Sequence, residues 1–328
     1  MSESKKQLGQ FFTEKSPFDN SIFSDWLKDV PRTKPFLEPF AGSNNIVRFL
    51  GEGLTWDCFD IEPVNDETNK SGVVVNYNDS VSSFPQGYEV CITNPPYLYK
   101  KTATESNLPF PKSDYDNLYK HCLHLCLKNC RYVAAIIPAT FTSLTDKALI
   151  GRLDHLIIQE EQFFSDTEQP VCLALFGPQI TFDFSVTANN QSMMYSDLLE
   201  ENRRINPTKV LDLETNDPNG EIGAFMLDTS LRSVVFKKGS DMPEVESDSR
   251  YVLRLGGVKH ENLDEIVEEA NRVLNEWRLR THSFFMSPLR GFTNKGSYRR
   301  RLDIKDAKKI ISKSIENLYP PTPMYFNW

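Results

Sequence analysis

Asn94-Pro95-Pro96-Tyr97 closes the apolar run "YEVCITNPPY". Two successive prolines have no N–H to give to a ladder, so a buried strand must stop there. The corner they make presents a side-chain carbonyl from Asn94, a main-chain carbonyl from Pro95 stiffened by Pro96, and the ring of Tyr97. These groups suit one chemical problem. An aromatic amine such as the adenine N6 is a poor nucleophile, because its lone pair is spread into the ring. Acceptors placed on the amino hydrogens draw the nitrogen toward a tetrahedral geometry and localise that pair. Acceptors already in place stabilise charge as it develops, with no reorganisation during reaction. A base stacked on a ring gains about 1–3 kcal/mol, and an electrophilic methyl on a sulfonium donor would then need only alignment. The plainer reading, a proline-terminated strand and a ring that packs, uses the same residues.

Other chemistry-bearing residues stand at the ends of other apolar runs. "PFLEPFAGSNN" places Glu38 before a small-residue turn at Gly42, where the missing side chain lets backbone approach a ligand. "TWDCFDIEP" ends in Asp60 and Glu62, and an acid about 20 residues beyond such a turn can accept hydrogen bonds from ribose hydroxyls. "GVVVNYND" ends in Asp79, a candidate acceptor for an adenine amino group. Each is weak alone, since glycine turns and solvated acids are common where strands end. They gain weight by falling on four strands of one alternating series.

That series has to position them. "SIFSDWLKDV", "NNIVRFLGEG" and "YDNLYKHCLHLCLKNC" read as helices between the strand-like runs, and "RYVAAIIPA", "LDHLIIQEEQFF" and "PVCLALFGP" read as later strands. Strands alternating with helices predict an α/β fold, a Rossmann-like doubly wound sheet covered on both faces, with ligands at the carboxyl ends of its strands. After Pro178 the texture turns polar through residues 179–250, with weak periodicity. "LDEIVEEANRVLNEWRLRTH" and "DIKDAKKIISKSIENL" then read as amphipathic helices, the second with a basic face. The expected division is 1–178 and 179–328.

Composition bounds the rest. The chain has 328 residues and a hydrophobic content of 39%, enough for one large or two ordinary cores. No apolar run is long enough to cross a bilayer, and "MSESKKQLGQ" has no signal-peptide core, so a cytoplasmic location without membrane contact is expected. Three of six cysteines recur at helical spacing in "HCLHLCLKNC". Known zinc patterns use tighter pairs, so buried reduced thiols are expected there, and no metal. The net charge of −8 argues against a nucleic-acid partner only until its distribution is read. Residues 278–313 carry eleven Lys and Arg, among them Arg290, Lys295, Arg299, Arg300 and Arg301, against Asp303 and Asp306 alone. That density suits a phosphate-contacting surface, and "RGFTNKGSYRRR" reads as a loop able to meet base edges. A solvated face is the ordinary alternative.

"NPPY" after an apolar strand resembles the catalytic motif of S-adenosylmethionine-dependent amino-methyltransferases. "EPFAGSNN" is similar to their cofactor loop, and "FDIEP" to the strand end that carries their ribose-binding acid. "LGQFFTEKSPFDNSIF" resembles the N-terminal motif of the gamma group of DNA adenine-N6 methyltransferases, and the order of motifs is that group's order, with a C-terminal target-recognition domain expected last. The resemblance covers residues 8 to about 178. It implies a restriction–modification enzyme that methylates a flipped adenine in double-stranded DNA, and it allows a cognate restriction endonuclease as partner. By that resemblance Phe11, Phe12 and Thr13 flank the methionine moiety of S-adenosyl-L-methionine, and Glu38 and Gly42 lie under its amino-acid end. Asp60 binds the ribose, Ile61 packs on the adenine, and Asp79 holds the adenine amino group. Asn94, Pro95, Pro96 and Tyr97 grip the target base, with Phe164 packing against it. One position departs: the second glycine of the loop is replaced in Gly42-Ser43-Asn44, though Asn tolerates left-handed backbone better than most residues.

Other readings stay open. An RNA adenine methyltransferase needs the same chemistry with shape or single-strand recognition. A protein-glutamine N5-methyltransferase places the same turn on a planar amide, without explaining "LGQFFT" or the basic C-terminal region. A catalytically inactive DNA-binding subunit would keep that region and bind no donor. Cytosine-C5 chemistry is disfavoured, because it needs a cysteine after a proline and the chain has no Pro-Cys pair.

Overall fold

The computed structural model describes residues 15–51, 53–143, 146–159, 168–188, 190–243, 251–294 and 296–320. The chain divides into two compact units, Met1–Tyr195 and Ser196–Trp328.

In the first unit α1 (Ser21–Asp29) starts where the Asn20 side-chain oxygen accepts the Phe23 N–H at 2.8 Å, a capping bond that satisfies an otherwise orphaned donor. It buries Phe23 and Trp26. Then follow β1 (Phe36–Glu38), α2 (Asn45–Leu50), β2 (Trp56–Asp60), β3 (Val75–Tyr77) and β4 (Val90–Thr93). After a short α3 (Lys100–Glu105), α4 (Leu118–Asn129) is capped by Asn117. It inserts Cys122, Leu123 and Cys126 into the interior, and all six thiols are reduced and buried. Next come β5 (Tyr132–Pro138), α5 (Lys147–Ile150), β6 (Leu153–Ile158), β7 (Val171–Phe176), β8 (Ser185–Ala188) and β9 (Gln191–Met194).

Among the described residues these strands form one nine-stranded sheet in the order β3-β2-β1-β4-β5-β7-β6-β8-β9. β3, β2, β1, β4 and β5 run parallel, and β7 is antiparallel to both β5 and β6. The sheet is Rossmann-like and doubly wound, as the alternating series predicts. Strands β4 and β7 are buried along their whole length, which is why they read as unbroken apolar runs. The order reverses between β1 and β4, and a crevice opens outside the carboxyl ends at such a switch point.

The division falls at 195/196 rather than near 178. β8 pairs with β6 and β9 pairs with β8, so the polar stretch after Pro178 still extends the first sheet. Neither strand makes a long apolar run: Ser185–Ala188 buries one side only, and Gln191–Met194 is almost wholly exposed.

In the second unit α6 (Tyr195–Arg203) leads to β10 (Glu214–Thr215), β11 (Ile222–Phe225), β12 (Val235–Lys238) and β13 (Val252–Gly256), an antiparallel sheet in the order β10-β13-β11-β12. The long α7 (Leu263–Arg280), a hairpin of β14 (Ser287–Phe292) and β15 (Tyr298–Arg301), and α8 (Ile304–Leu318) complete it. Ile222, Phe236, Leu255, Leu274, Trp277, Ile310 and Ile311 share one core. "RGFTNKGSYRRR", expected as a loop, is largely this hairpin. Its register shifts between Leu289 and Phe292, where Gly291 takes φ +95°. That bulge broke the alternation from which a strand would be read.

Candidate active site

The carboxyl ends of β1, β2, β3 and β4 each supply part of one cavity of about 430 Å³. From β1 come Pro39, Phe40, Ala41, Gly42 and Ser43. From β2 come Asp60, Ile61 and Glu62, and from β3 Asn78 to Ser82. β4 contributes Asn94, Pro95 and Pro96, and Leu98, Leu118 and the Pro109-Phe110-Pro111 loop form a further apolar wall. Small-molecule sites span about 300–1,000 Å³, so the cavity has room for a nucleoside-sized ligand.

The turn after β1 is held from two sides. Gly42 has φ +52° and donates its N–H to Asp60 Oδ2 at 2.8 Å. Asp60 Oδ1 accepts the Glu62 N–H at 2.8 Å, so this carboxylate both orders the loop and lines the cavity. Asn44 adopts left-handed backbone, φ 60° and ψ 33°, which answers the missing second glycine. Its side chain turns inward, donating to Ser71 Oγ at 2.9 Å and Val73 O at 3.2 Å. Ser43 and Asn45 face the cavity in its place.

Glu38 lies beneath this loop with 1% of its surface exposed. Its Oε1 accepts from Thr93 Oγ1 at 2.7 Å and from the Phe40 N–H at 3.0 Å, and its Oε2 has no hydrogen-bond partner. Burial pushes its pKa up to about 8, against the downward pull of those two donors. Asp79 lines the cavity while its Oδ1 accepts the N–H groups of Val81 at 3.1 Å and Ser82 at 3.2 Å.

At the corner after β4, Asn94, Pro95 and Pro96 face the cavity. Tyr97 is not among its described walls. The Tyr97 ring is half-buried, meets Tyr119 edge-on at 6.1 Å and 81°, and packs against the sheet core. Its hydroxyl lies 2.6 Å from Asn94 Oδ1 and 2.8 Å from Ile136 O. In this geometry the Tyr97 hydroxyl braces the corner.

The structure therefore brings together Gly42, Asp60, Ile61, Asp79, Asn94, Pro95 and Pro96, with Glu38 directly under the loop. Phe11, Phe12, Thr13, Phe164 and Lys295 lie outside the described residues. In the second unit Arg290 is exposed on β14, and the arginines of β15 are half-buried. Arg301 pairs with Asp303 at 3.5 Å, one Arg300 nitrogen donates to Ser283 O at 3.3 Å, and Arg299 Nε is buried without a partner. Sequence reading passed over Phe110 and its flanking prolines. Their signal was present: a Pro-Phe-Pro stretch soon after the NPPY corner is a rigid apolar insert in an otherwise polar loop.

A nucleoside donor fits the residues present. An acceptor-rich strand end, an exposed apolar Ile61, a turn without a side chain at Gly42 and an unpartnered buried carboxylate oxygen at Glu38 are the groups that a cationic amino acid joined to a nucleoside would need.

No family model matches the chain, and no curated protein matches it. Several solved structures are similar in fold at low identity. A protein of Listeria monocytogenes described as a class I S-adenosylmethionine-dependent methyltransferase has 13% identity and a TM-score of 0.38, covering 52% of this chain and 64% of its own. A type I restriction–modification methyltransferase subunit from Streptococcus thermophilus has 16% identity and a TM-score of 0.37, covering 56% and 50%. A modification subunit of a type I restriction enzyme from Vibrio vulnificus has 13% identity and a TM-score of 0.34, covering 56% and 48%. The chain thus spans under two thirds of the length of each of these proteins.

Proposed function

We propose that the chain is an S-adenosyl-L-methionine-dependent methyltransferase that modifies the N6 of adenine in double-stranded DNA, as the modification enzyme of a restriction–modification system. The observation that carries this reading is the meeting of two sets of groups in one cavity: Asn94, Pro95 and Pro96 on one wall, and Gly42, Asp60, Ile61 and Asp79 on the other.

When bound, the donor supplies a sulfonium methyl as electrophile. Asp60 would hold the ribose hydroxyls while it still fixes the Gly42 amide. Ile61 would cover one face of the adenine, and Asp79 would accept from its amino group. Glu38, and Phe11, Phe12 and Thr13 from the N-terminal motif, would enclose the amino-acid end. The side-chain carbonyl of Asn94 and the main-chain carbonyl of Pro95 would take the two hydrogens of the target amine and localise its lone pair toward the methyl. Tyr97 and Phe164 would pack against the target base. A base within a duplex must be rotated out to reach such a corner, at a cost of a few kcal/mol. Arg290, Lys295, Arg299, Arg300 and Arg301 are the groups proposed to offset it through backbone contacts. That basic hairpin favours duplex DNA over RNA or a protein glutamine, and a cognate endonuclease is the partner such a system would have.

Labelled donor offered together with duplex DNA, RNA and a protein extract, followed by identification of the modified atom, tests this. Label on adenine N6 of duplex DNA is expected. Asn94→Ala should lower transfer at least about a hundredfold, by analogy with removing one pre-set transition-state group, while equilibrium binding of donor is kept. Unchanged turnover in that variant would remove the catalytic assignment, and failure of the wild-type protein to bind donor would leave a DNA-binding subunit.

A further inference from the structure

Leu231 is 95% exposed. A single exposed leucine is ordinary on a protein surface, but this one is held with unusual completeness. Thr229 closes the loop that carries it. The Thr229 N–H donates to Arg232 O at 2.8 Å, and Thr229 Oγ1 accepts the N–H groups of Leu231 and Arg232, each at 3.2 Å. Below the loop, Asp228 takes both terminal nitrogens of Arg278 at 2.9 and 2.8 Å and the Val234 N–H at 2.9 Å. Its own N–H donates to Arg300 O at 2.9 Å, tying the loop to β15. From the hairpin turn, Asn294 Nδ2 donates to Ser230 O at 3.3 Å. The Arg232 guanidinium lies over the Phe225 ring.

The loop therefore pays its ordering entropy within the folded protein, and a side chain fixed in advance gains affinity for whatever receives it. What surrounds the tip limits the receiver. Arg232 is exposed beside it, Asn294 is tied to the same loop through Ser230 O, and the buried acid beneath it, Asp228, is neutralised by Arg278. An apolar tip on a hydrogen-bonded loop, beside one cation and one amide, matches the wedge with which proteins part stacked base pairs from the minor groove.

We propose that Leu231 enters a base step of duplex DNA and unstacks it, with Arg232 and Asn294 on the flanking backbone and groove edge. This rests on the duplex-DNA reading above. It adds a site that deforms the DNA, separate from the cavity that would hold donor and target base.

Relaxed closed-circular plasmid is the probe. The full chain is bound to it, topoisomerase removes the resulting strain, and the linking-number change per bound protein is measured. The wild-type protein should unwind the plasmid. Leu231→Ala, a change at a solvent-exposed tip, should give about half that change or less at saturation, and Leu231→Met should restore it. A wild-type linking change from Leu231→Ala overturns the wedge, and so does a wild-type protein that methylates the plasmid without unwinding it. In both cases label on plasmid adenine leaves the duplex-DNA reading standing. Label found only on RNA or protein overturns both together.

Discussion

At Glu38 a carboxyl group is buried under the loop that shapes the cavity, with one oxygen satisfied by Thr93 and Phe40 and the other unpaired. Desolvation disfavours its charged form, so the folded protein keeps a proton that the unfolded chain releases at ordinary carboxylate pH. Between the ordinary carboxyl value of 4.5 and about 8, the folded state binds more protons than the unfolded state, and stability falls as pH rises. The slope for one such group is about 1.4 kcal/mol per pH unit. The contribution is fully present below the unfolded value and is lost as pH climbs through the folded value. Glu38→Gln carries the protonated shape at every pH. Urea unfolding from pH 5 to pH 9 should therefore show a wild-type midpoint that falls across this window and a variant midpoint that is nearly flat, with the variant the more stable at pH 9. Parallel curves would mean that the Glu38 proton is not held by burial. Donor binding should act in the other direction, since a cationic amino group near Oε2 favours the carboxylate and would release the proton.

The loop between β1 and α2 is the element on which the cavity depends, and Asn44 decides its shape. A left-handed φ of 60° suits glycine or asparagine, and the inward amide ties the loop to residues 71 and 73. Asn44→Gly keeps the backbone and loses two hydrogen bonds, a loss of about 1–3 kcal/mol. Asn44→Ala loses the same bonds and adds left-handed strain of about 1–2 kcal/mol. Denaturant midpoints and donor affinity should both rank wild type above Gly above Ala. Equal losses in the two variants would show that the backbone conformation is not what Asn44 supplies. The sequence made the backbone half of this legible, since Asn in a glycine position implies a left-handed turn. The tie to Ser71 and Val73 was not legible, because it joins segments 27 residues apart or more through a side chain. The same contrast runs through the sheet. β1, β4, β5 and β7 are largely buried apolar runs and β2 alternates cleanly, so these could be read directly. β8, β9 and the β14–β15 hairpin are short, half-exposed or bulged, and only tertiary pairing defines them. The packing of Tyr97 against Tyr119 was not legible either, because it depends on α4, which no local pattern at the NPPY corner reveals.

Across the whole molecule the net charge is −8, so any polyanion must be met by a local surface. The basic stretch 278–313 is that surface in sequence, but much of its charge is already committed. Arg278 pairs with Asp228, Arg280 with Glu201, Arg301 with Asp303, Lys309 with Asp306 and Lys313 with Glu316. On α8 two of the four lysines, Lys309 and Lys313, are thereby neutralised by acids of their own helix. On β15 the residues alternate, so Arg299 and Arg301 share one side and Arg300 takes the other. Each phosphate neutralised on duplex DNA contributes about 0.9 to the logarithmic salt slope. Three independent contacts would remove roughly 2.7 from that slope on simultaneous Arg299, Arg300 and Arg301→Ala substitution. Because Arg301 must leave Asp303 and Arg300 must leave Ser283 O to reach a phosphate, the expected loss is smaller, about 1–2, with a clear fall in affinity at low salt. Arg290→Ala, at an exposed position on the adjacent strand, should remove about one contact on the same scale. Fluorescence anisotropy of a labelled duplex across a salt series reads both quantities. An unchanged slope and affinity in the triple variant would make the β15 arginines a solvated, internally paired edge and move the DNA surface to the loop that carries Leu231 and Arg232.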